Sequence, residues 1–411
     1  MERLKRSRLR AVAVVALAAI GLVACGDDGG GGGGSAGGSA APGVDTKSKT
    51  VTVGAWRLAS GPFASQNQTS QAVEACLKAS NDAGGVNGWK FEFKANDTAG
   101  DPTRALQETR SLVEGKSVFA LLWGPGSPSN QAVLPYVEKS GTPYHPGMSG
   151  DPFVGHFYDN IYPTIPPYSY QAMFLAKYAV ETLGAERIGL LYQNDDVGQS
   201  SHDAMKDYVE SLGAELVADV PQTGTDTDYT PMGNKLAEAN PDAVIAWGYP
   251  TALVKGKAAT MAAGVDVPWL GAYFNASDDV MKLDPATLDG TYFNYYLEPF
   301  FADTPEIKAY QDALKKYFPD VAPSGLPLNG YAACQVFLAG FEKMTEDGDA
   351  PTQDAYMKAL DSLGSTQVGV IPQLEYTDKA HNGPTQSYVI QWKDGAWSVV
   401  QDAADMPTGA S

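Results

Sequence analysis

Arg187-Ile188-Gly189-Leu190-Leu191-Tyr192, a helical stretch from Gln199 to Leu212, then Glu215-Leu216-Val217-Ala218-Asp219-Val220: this succession decides the fold. Two short β-rich runs separated by a helix form the unit of a parallel sheet, because parallel neighbours need a crossover and a helix supplies it. The pattern continues downstream through a helix from Thr230 to Ala239, the strand Ala243 to Trp247, a helix from Leu253 to Ala263 and the strand Trp269 to Gly271. A helix from Tyr168 to Leu183 precedes the series.

Further upstream the same alternation runs a first time. Thr50 to Trp56 reads as a strand, and Ser70 to Asp82 has helical spacing at Ala72, Ala75, Cys76 and Ala79. Trp89 to Lys94 alternates as a strand, Asp101-Pro102-Thr103 starts a helix running to Glu114, Val118 to Trp123 is a buried strand, and Ser129 to Lys139 a helix. Two successive series predict an α/β protein with two doubly wound parallel-sheet lobes. The last third predicts helices over Thr304–Tyr317, Ala332–Met344 and Thr352–Leu363, then an antiparallel ribbon from Gln373 to Val400 turning at Asp394-Gly395. The stretch from Lys47 to Gln401 holds roughly 350 residues, more than the about 250–300 at which one core stops growing.

The chain opens with basic Arg3-Leu4-Lys5-Arg6-Ser7-Arg8-Leu9-Arg10 and an apolar run from Ala11 to Ala24, the order of a secretory signal peptide. That run is shorter than the roughly 20 apolar residues of a membrane-spanning helix. Leu22-Val23-Ala24-Cys25 resembles the bacterial lipobox, which implies removal of residues 1–24 and a lipid on Cys25. Gly26-Asp27-Asp28 and the glycine tract after it read as a flexible tether over residues 25–48. The expected location is extracytoplasmic, anchored to the cell membrane by that lipid. A net charge of −19 argues against nucleic acid, whose phosphates would repel it. Of the three cysteines, Cys76 and Cys334 remain; an oxidising compartment permits a bond between them, and two buried thiols fit the pattern equally.

Ala83-Gly84-Gly85-Val86-Asn87-Gly88 and Asn96-Asp97-Thr98-Ala99-Gly100-Asp101-Pro102, followed by Trp123-Gly124-Pro125-Gly126-Ser127, Tyr144-His145-Pro146-Gly147-Met148-Ser149, Asp196-Val197-Gly198 and Tyr331-Ala332-Ala333, carry a family resemblance. In order and spacing they resemble the branched-chain amino-acid (leucine/isoleucine/valine) binding proteins, the type I periplasmic solute-binding components of ABC importers. The resemblance implies two lobes joined by a three-crossing hinge near 163–168, 291–298 and 366–372. Lobe 1 would be 49–163 plus 298–366, lobe 2 164–297 plus 367–402, and 403–411 a tail. Cys76 and Cys334 would then share lobe 1.

Ligands of open parallel sheets lie beyond the carboxyl ends of the strands, where loops enter helix N-termini. The loops in that position nominate Ser60, Phe63, Gly126, Ser127, Met148, Ser149, Val197, Gly248, Tyr249, Tyr273 and Phe274 as ligand-binding residues. Glycines at 124 and 126 let backbone approach a ligand, and a helix start with Ser127 offers N–H and hydroxyl donors suited to a carboxylate; Ser127 or Ser129 as a helix cap is the simpler alternative. Amino-acid-binding members of the family use a lobe 2 acid for the ligand ammonium, whereas the matching stretch here, Leu270 to Asn275, has no carboxylate. Asp195, Asp196 and Asp278 lie nearby and read more simply as loop or capping residues. With Trp247, Tyr249, Tyr273, Phe274 and Tyr296 near the cleft, the expected ligand is an amino acid-like, amide or aromatic carboxylate compound.

Other chemistries lack their residues. His145, His156, His202 and His381 show no metal-ligand spacing, and there is no nucleophile elbow, phosphate loop or dinucleotide fingerprint. The sequence therefore reads as a monomeric binding protein, not an enzyme, without metal or cofactor. Its expected partners are a small-molecule ligand and the permease and ATPase subunits of an ABC importer. A ligand sensor for a membrane receptor is the alternative, and a lipid-anchored hydrolase a weaker one.

Overall fold

The computed structural model describes residues 40–61 and 64–408. The chain first builds β1 (Val44–Asp45), β2 (Thr50–Arg57), α1 (Asn67–Asp82), β3 (Lys90–Asp97), α2 (Pro102–Glu114), β4 (Leu121–Pro125), α3 (Ser127–Ser140) and β5 (Tyr144–Gly147). Its strands form a five-stranded sheet of order β1-β2-β4-β5 with β3 on β2, all parallel except the short β1. Every residue of β4 is buried, as expected of a strand covered on both faces.

A second series follows: α4 (Tyr168–Glu181), β6 (Arg187–Gln193), α5 (Asp196–Ser211), β7 (Glu215–Gln222), α6 (Thr230–Glu238), β8 (Ala243–Trp247), α7 (Pro250–Ala262), β9 (Trp269–Gly271), α8 (Asp278–Met281), α9 (Pro285–Leu288) and β10 (Thr291–Tyr295). The chain then returns to the first sheet's helices as α10 (Pro305–Tyr317), α11 (Gly325–Thr345) and α12 (Gln353–Asp361). It ends as β11 (Gly364–Val368), β12 (Ile371–Thr377), β13 (Ala380–Pro384), β14 (Gln386–Lys393) and β15 (Ala396–Asp405). The second sheet has the order β15-β14-β10-β9-β8-β6-β7. Its parallel centre is completed by the antiparallel β14–β15 hairpin. The architecture is thus the expected α/β fold with two mostly parallel sheets.

Residues fold locally for identifiable reasons. Asp101 caps α2 by accepting from Thr103 N at 2.7 Å and Arg104 N at 3.2 Å, with Pro102 in the first turn, where a missing N–H costs nothing. α11 starts seven residues earlier than Ala332, where the periodicity placed it. Gly325, Pro327 and Gly330 hide that start, yet Gly330 serves packing: a Cβ there would lie 2.0 Å from the Thr69 carbonyl of α1.

α1 and α11 are also joined covalently. Cys76 and Cys334 form a disulfide with Cα atoms 6.3 Å apart, which settles the pair left open by the sequence. In the same core Phe91, Phe119, Phe337, Phe341 and Tyr356 pack edge-to-face or tilted, as aromatic quadrupoles favour.

The expected ribbon from Gln373 to Val400 divides in two. β11, β12 and β13 form a separate antiparallel sheet, and only β14 and β15 join the second main sheet. The break falls at Thr385, whose N–H donates to Gln373 O of β12 at 3.0 Å while its carbonyl accepts from Met406 N at 2.9 Å; just before it, Gly383 has φ 73° and a Cβ there would sit 2.7 Å from the Pro163 carbonyl. The small sheet braces the connection before α4. Tyr376 Oη donates to Pro163 O at 2.6 Å, and His381 bridges Ile161 O at 2.8 Å and Asp361 Oδ1 at 2.9 Å. Asp394 and Gly395 both take positive φ, 52° and 75°, between β14 and β15, as a tight hairpin requires.

Candidate functional site

The loop after β4 is held from below by its own sheet. Trp56 Nε1 donates to Pro125 O at 2.9 Å, and a Cβ on Gly124 would lie 2.4 Å from the Trp56 ring. Asn130 Nδ2 donates to Gly124 O and Gly126 O, both at 2.7 Å, and Tyr144 Oη donates to Asn130 Oδ1. Gly126, at φ 98°, is the N-cap of α3, and no side chain caps that helix. The helix therefore begins at Ser127, two residues before Ser129, and neither serine is its cap. Its first N–H groups are left to solvent or a ligand.

The loop after β5 brings a second wall. Met148 and Ser149 are 2 % and 5 % exposed. Ser149 Oγ donates to Asp151 Oδ2 and accepts from Tyr168 N at 3.0 Å, and Tyr168 N also reaches Asp151 Oδ2 at 2.7 Å. Ser169 N donates to Asp151 Oδ1 at 3.1 Å. α4 thus receives its N-terminal acceptor from a distant loop, since Pro167 has none to give.

From the second sheet, Val197 arrives at the start of α5. Asp195 caps that helix, accepting from Val197 N at 3.0 Å, and Gly198 is required because a Cβ would stand 1.9 Å from Gln193 O. Tyr168 faces these elements with Trp247, Tyr273 and Phe274 behind it, ring centroids 5.8, 6.3 and 6.0 Å away. Burial pushes the Tyr168 hydroxyl up to about 12, and the hydroxyls of Tyr273 and Ser127 stand beside it, so the phenol stays a neutral donor.

Ser127, Gln131, Met148, Ser149, Asp151, Pro152, Tyr168 and Val197 enclose a cavity of about 200 Å³. It lies where β4, β5 and β6 end, and both main sheets contribute to it. A larger open groove of about 460 Å³, lined by Gly43, Thr50, Thr52 and Lys116 among others, lies at the start of β2 and touches none of these loops.

Four nominated residues, Ser127, Met148, Ser149 and Val197, meet in the cavity, with Gly126 as the cap before Ser127. Ser60 is not among its walls: its hydroxyl donates to Asp97 Oδ2 at 2.5 Å. Gly248 is needed by packing, since a Cβ would meet Gln222 Nε2 at 2.2 Å, and Tyr249 lies over Gly224. Tyr273 and Phe274 back Tyr168 and do not line the cavity. Phe63 and Cys25 lie outside the described residues. Gln131, Asp151, Pro152 and Tyr168 were missed; the only sequence signal for Tyr168 is Pro166-Pro167 before a helical run.

Several buried polar atoms of the second half lack a partner, among them Trp247 Nε1, Trp269 Nε1, both Gln222 amide atoms and Asn275 Oδ1. Such orphans are costly and mark places where a further group fits. Among the described residues no cluster could hold a metal ion and no helix is long and apolar enough to cross a membrane.

A family profile described as periplasmic binding protein matches residues 50–396. The Leu/Ile/Val-binding protein homolog 3 of Brucella melitensis biotype 1 is 23% identical over 349 residues, covering 84% of this chain and 92% of that protein. A fatty acid ABC transporter substrate-binding protein from Thermomonospora curvata superposes with TM-score 0.76 at 23% identity, over 89% of this chain and 95% of that one. A branched-chain amino acid transporter substrate binding protein from Streptococcus pneumoniae, in complex with isoleucine, gives TM-score 0.72 at 20% identity, over 86% and 99%. At these identities the structural likeness speaks for the fold.

Proposed function

The chain belongs to the periplasmic binding protein family, and on that premise we propose that it is an extracytoplasmic lipoprotein, held by a lipid on Cys25, that captures a small organic solute and delivers it to the permease and ATPase of an ABC importer. The carrying observation is the cavity at the ends of β4, β5 and β6, walled from both halves of the molecule. A binder of this kind closes over its ligand by hinge motion, and the closed shape is what a permease pair recognises. The lobes are 49–163 plus 298–366 and 164–297 plus 367–405, the second taken to the end of β15, with the small β11–β13 sheet bracing the crossings.

The uncapped start of α3, the Ser127 hydroxyl and the neutral phenol of Tyr168 favour a ligand with one hydrogen-bonding head and an apolar or flat body, an amino acid-like, amide or aromatic compound. The relatives' names span leucine-type amino acids and fatty acids; a cavity of about 200 Å³ suits a ligand of the smaller size. Binding, not turnover, is the activity.

Native mass spectrometry of freshly purified protein should show a bound small molecule, and adding that molecule to stripped protein should raise the melting temperature and shrink the radius of gyration. Ser127→Trp, which fills the cavity, should abolish both responses. Responses undiminished in this variant would remove the cavity as the site. Cys25→Ser should release the protein from the membrane and end labelling by radioactive palmitate.

A further inference from the structure

Asp151 is the one carboxylate among the described residues lining the cavity, and no Lys, Arg or His stands with it. Its two oxygens accept from Ser149 Oγ, Tyr168 N, Ser169 N and Ser169 Oγ. A carboxylate offers about four lone-pair directions, so its acceptor capacity is filled. The donors are two hydroxyls and the first two N–H groups of a 14-residue helix, the set that would otherwise hold a ligand carboxylate. Ser149, nominated from sequence as a ligand donor, already spends its proton on Asp151.

We propose that Asp151 is a resident anion occupying the carboxylate-accepting end of α4, and that it selects against free-acid ligands, so that the solute is an amide or an amine. This deepens the binding reading above and rests on it. Size makes the selection effective. At a separation of about 7 Å, the diameter of a sphere of about 200 Å³, repulsion between a ligand carboxylate and Asp151 at an effective dielectric of about 20 weakens binding about 50-fold. The half-charge of the helix end offsets part of this and leaves about 7-fold. The uncapped α3 start can still receive a carbonyl oxygen, which carries no full charge to repel.

The test uses benzoate, benzamide and benzylamine as matched probes on the intact protein, Asp151→Ala and Asp151→Asn, read by calorimetry and thermal shift. Wild type should bind benzamide or benzylamine at least about 7-fold more tightly than benzoate, and Asp151→Ala should reverse the order. Formate should raise the melting temperature of Asp151→Ala saturably, by refilling the vacated end of α4, and leave wild type unchanged. Asp151→Asn keeps the size without the charge and serves if the alanine variant does not fold. Wild type preferring benzoate, or formate acting equally on both proteins, overturns the inference and leaves solute binding intact. No probe binding to any of the three proteins counts against the cavity as a binding site and takes the inference with it.

Discussion

Breaking the Cys76–Cys334 bond should destabilise the protein through its unfolded state more than through its native contacts. The bonded residues are 258 positions apart, so the closed loop spans most of the folded chain. In the chain-entropy treatment a loop of that length removes about 19 cal/mol/K from the denatured ensemble, or about 5.5 kcal/mol at 25 °C. Residual denatured structure reduces this, and about 3–5 kcal/mol is the expected loss. Natively the bond adds little that packing lacks: Cys76 and Cys334 are 4 % and 0 % exposed where α1 lies on α11. The assay is urea unfolding of wild type with and without a reductant, and of Cys76→Ala/Cys334→Ala, by circular dichroism. The midpoint should fall, the slope should rise as the unfolded chain expands, and the native spectrum should not change. A loss under about 1 kcal/mol, or an altered native spectrum, would refute the entropic account.

His145 is fully buried, and desolvation pushes its imidazole down to about 3, against the pull of the Tyr162 backbone carbonyl, an acceptor that favours the charged form. The unfolded chain takes up the proton below about 6.5 while the folded one does not, so stability is full above that pH and falls by about 1.4 kcal/mol per unit toward 3. Urea melts at pH 7 and 5 should show the slope, and His145→Phe should lessen it; an equal slope in the variant contradicts the assignment. Gly124→Ala drives a Cβ into the Trp56 ring at 2.4 Å. It should cost about 1–3 kcal/mol and weaken ligand binding by displacing the start of α3, both measurable by thermal shift; an unperturbed affinity would mean that the loop does not set the site. Asn130→Ala removes the bonds to the Gly124 and Gly126 carbonyls. About 1–3 kcal/mol should be lost for those buried acceptors, and full stability in a urea melt would count against their role.

The alternation of strands and helices belonged to the sequence alone. Ala243–Trp247 and Trp269–Gly271 can be read to the residue, because burial on both faces demands a continuous apolar run that no helix period explains. Asp101-Pro102 likewise declares the start of α2, since cap and first-turn residues act within four positions. The order of motifs carried the family.

The tertiary structure decided which loops meet. Asp151 closes on α4 across 17 and 18 residues, Tyr168 is set before Trp247 at the end of β8, and Cys76 finds Cys334 at a separation of 258. Periodicity and capping are local statements about backbone and burial. Which side chains face one cavity depends instead on how two separately twisted sheets present their strand ends, a relation fixed by packing between segments that no window of sequence contains.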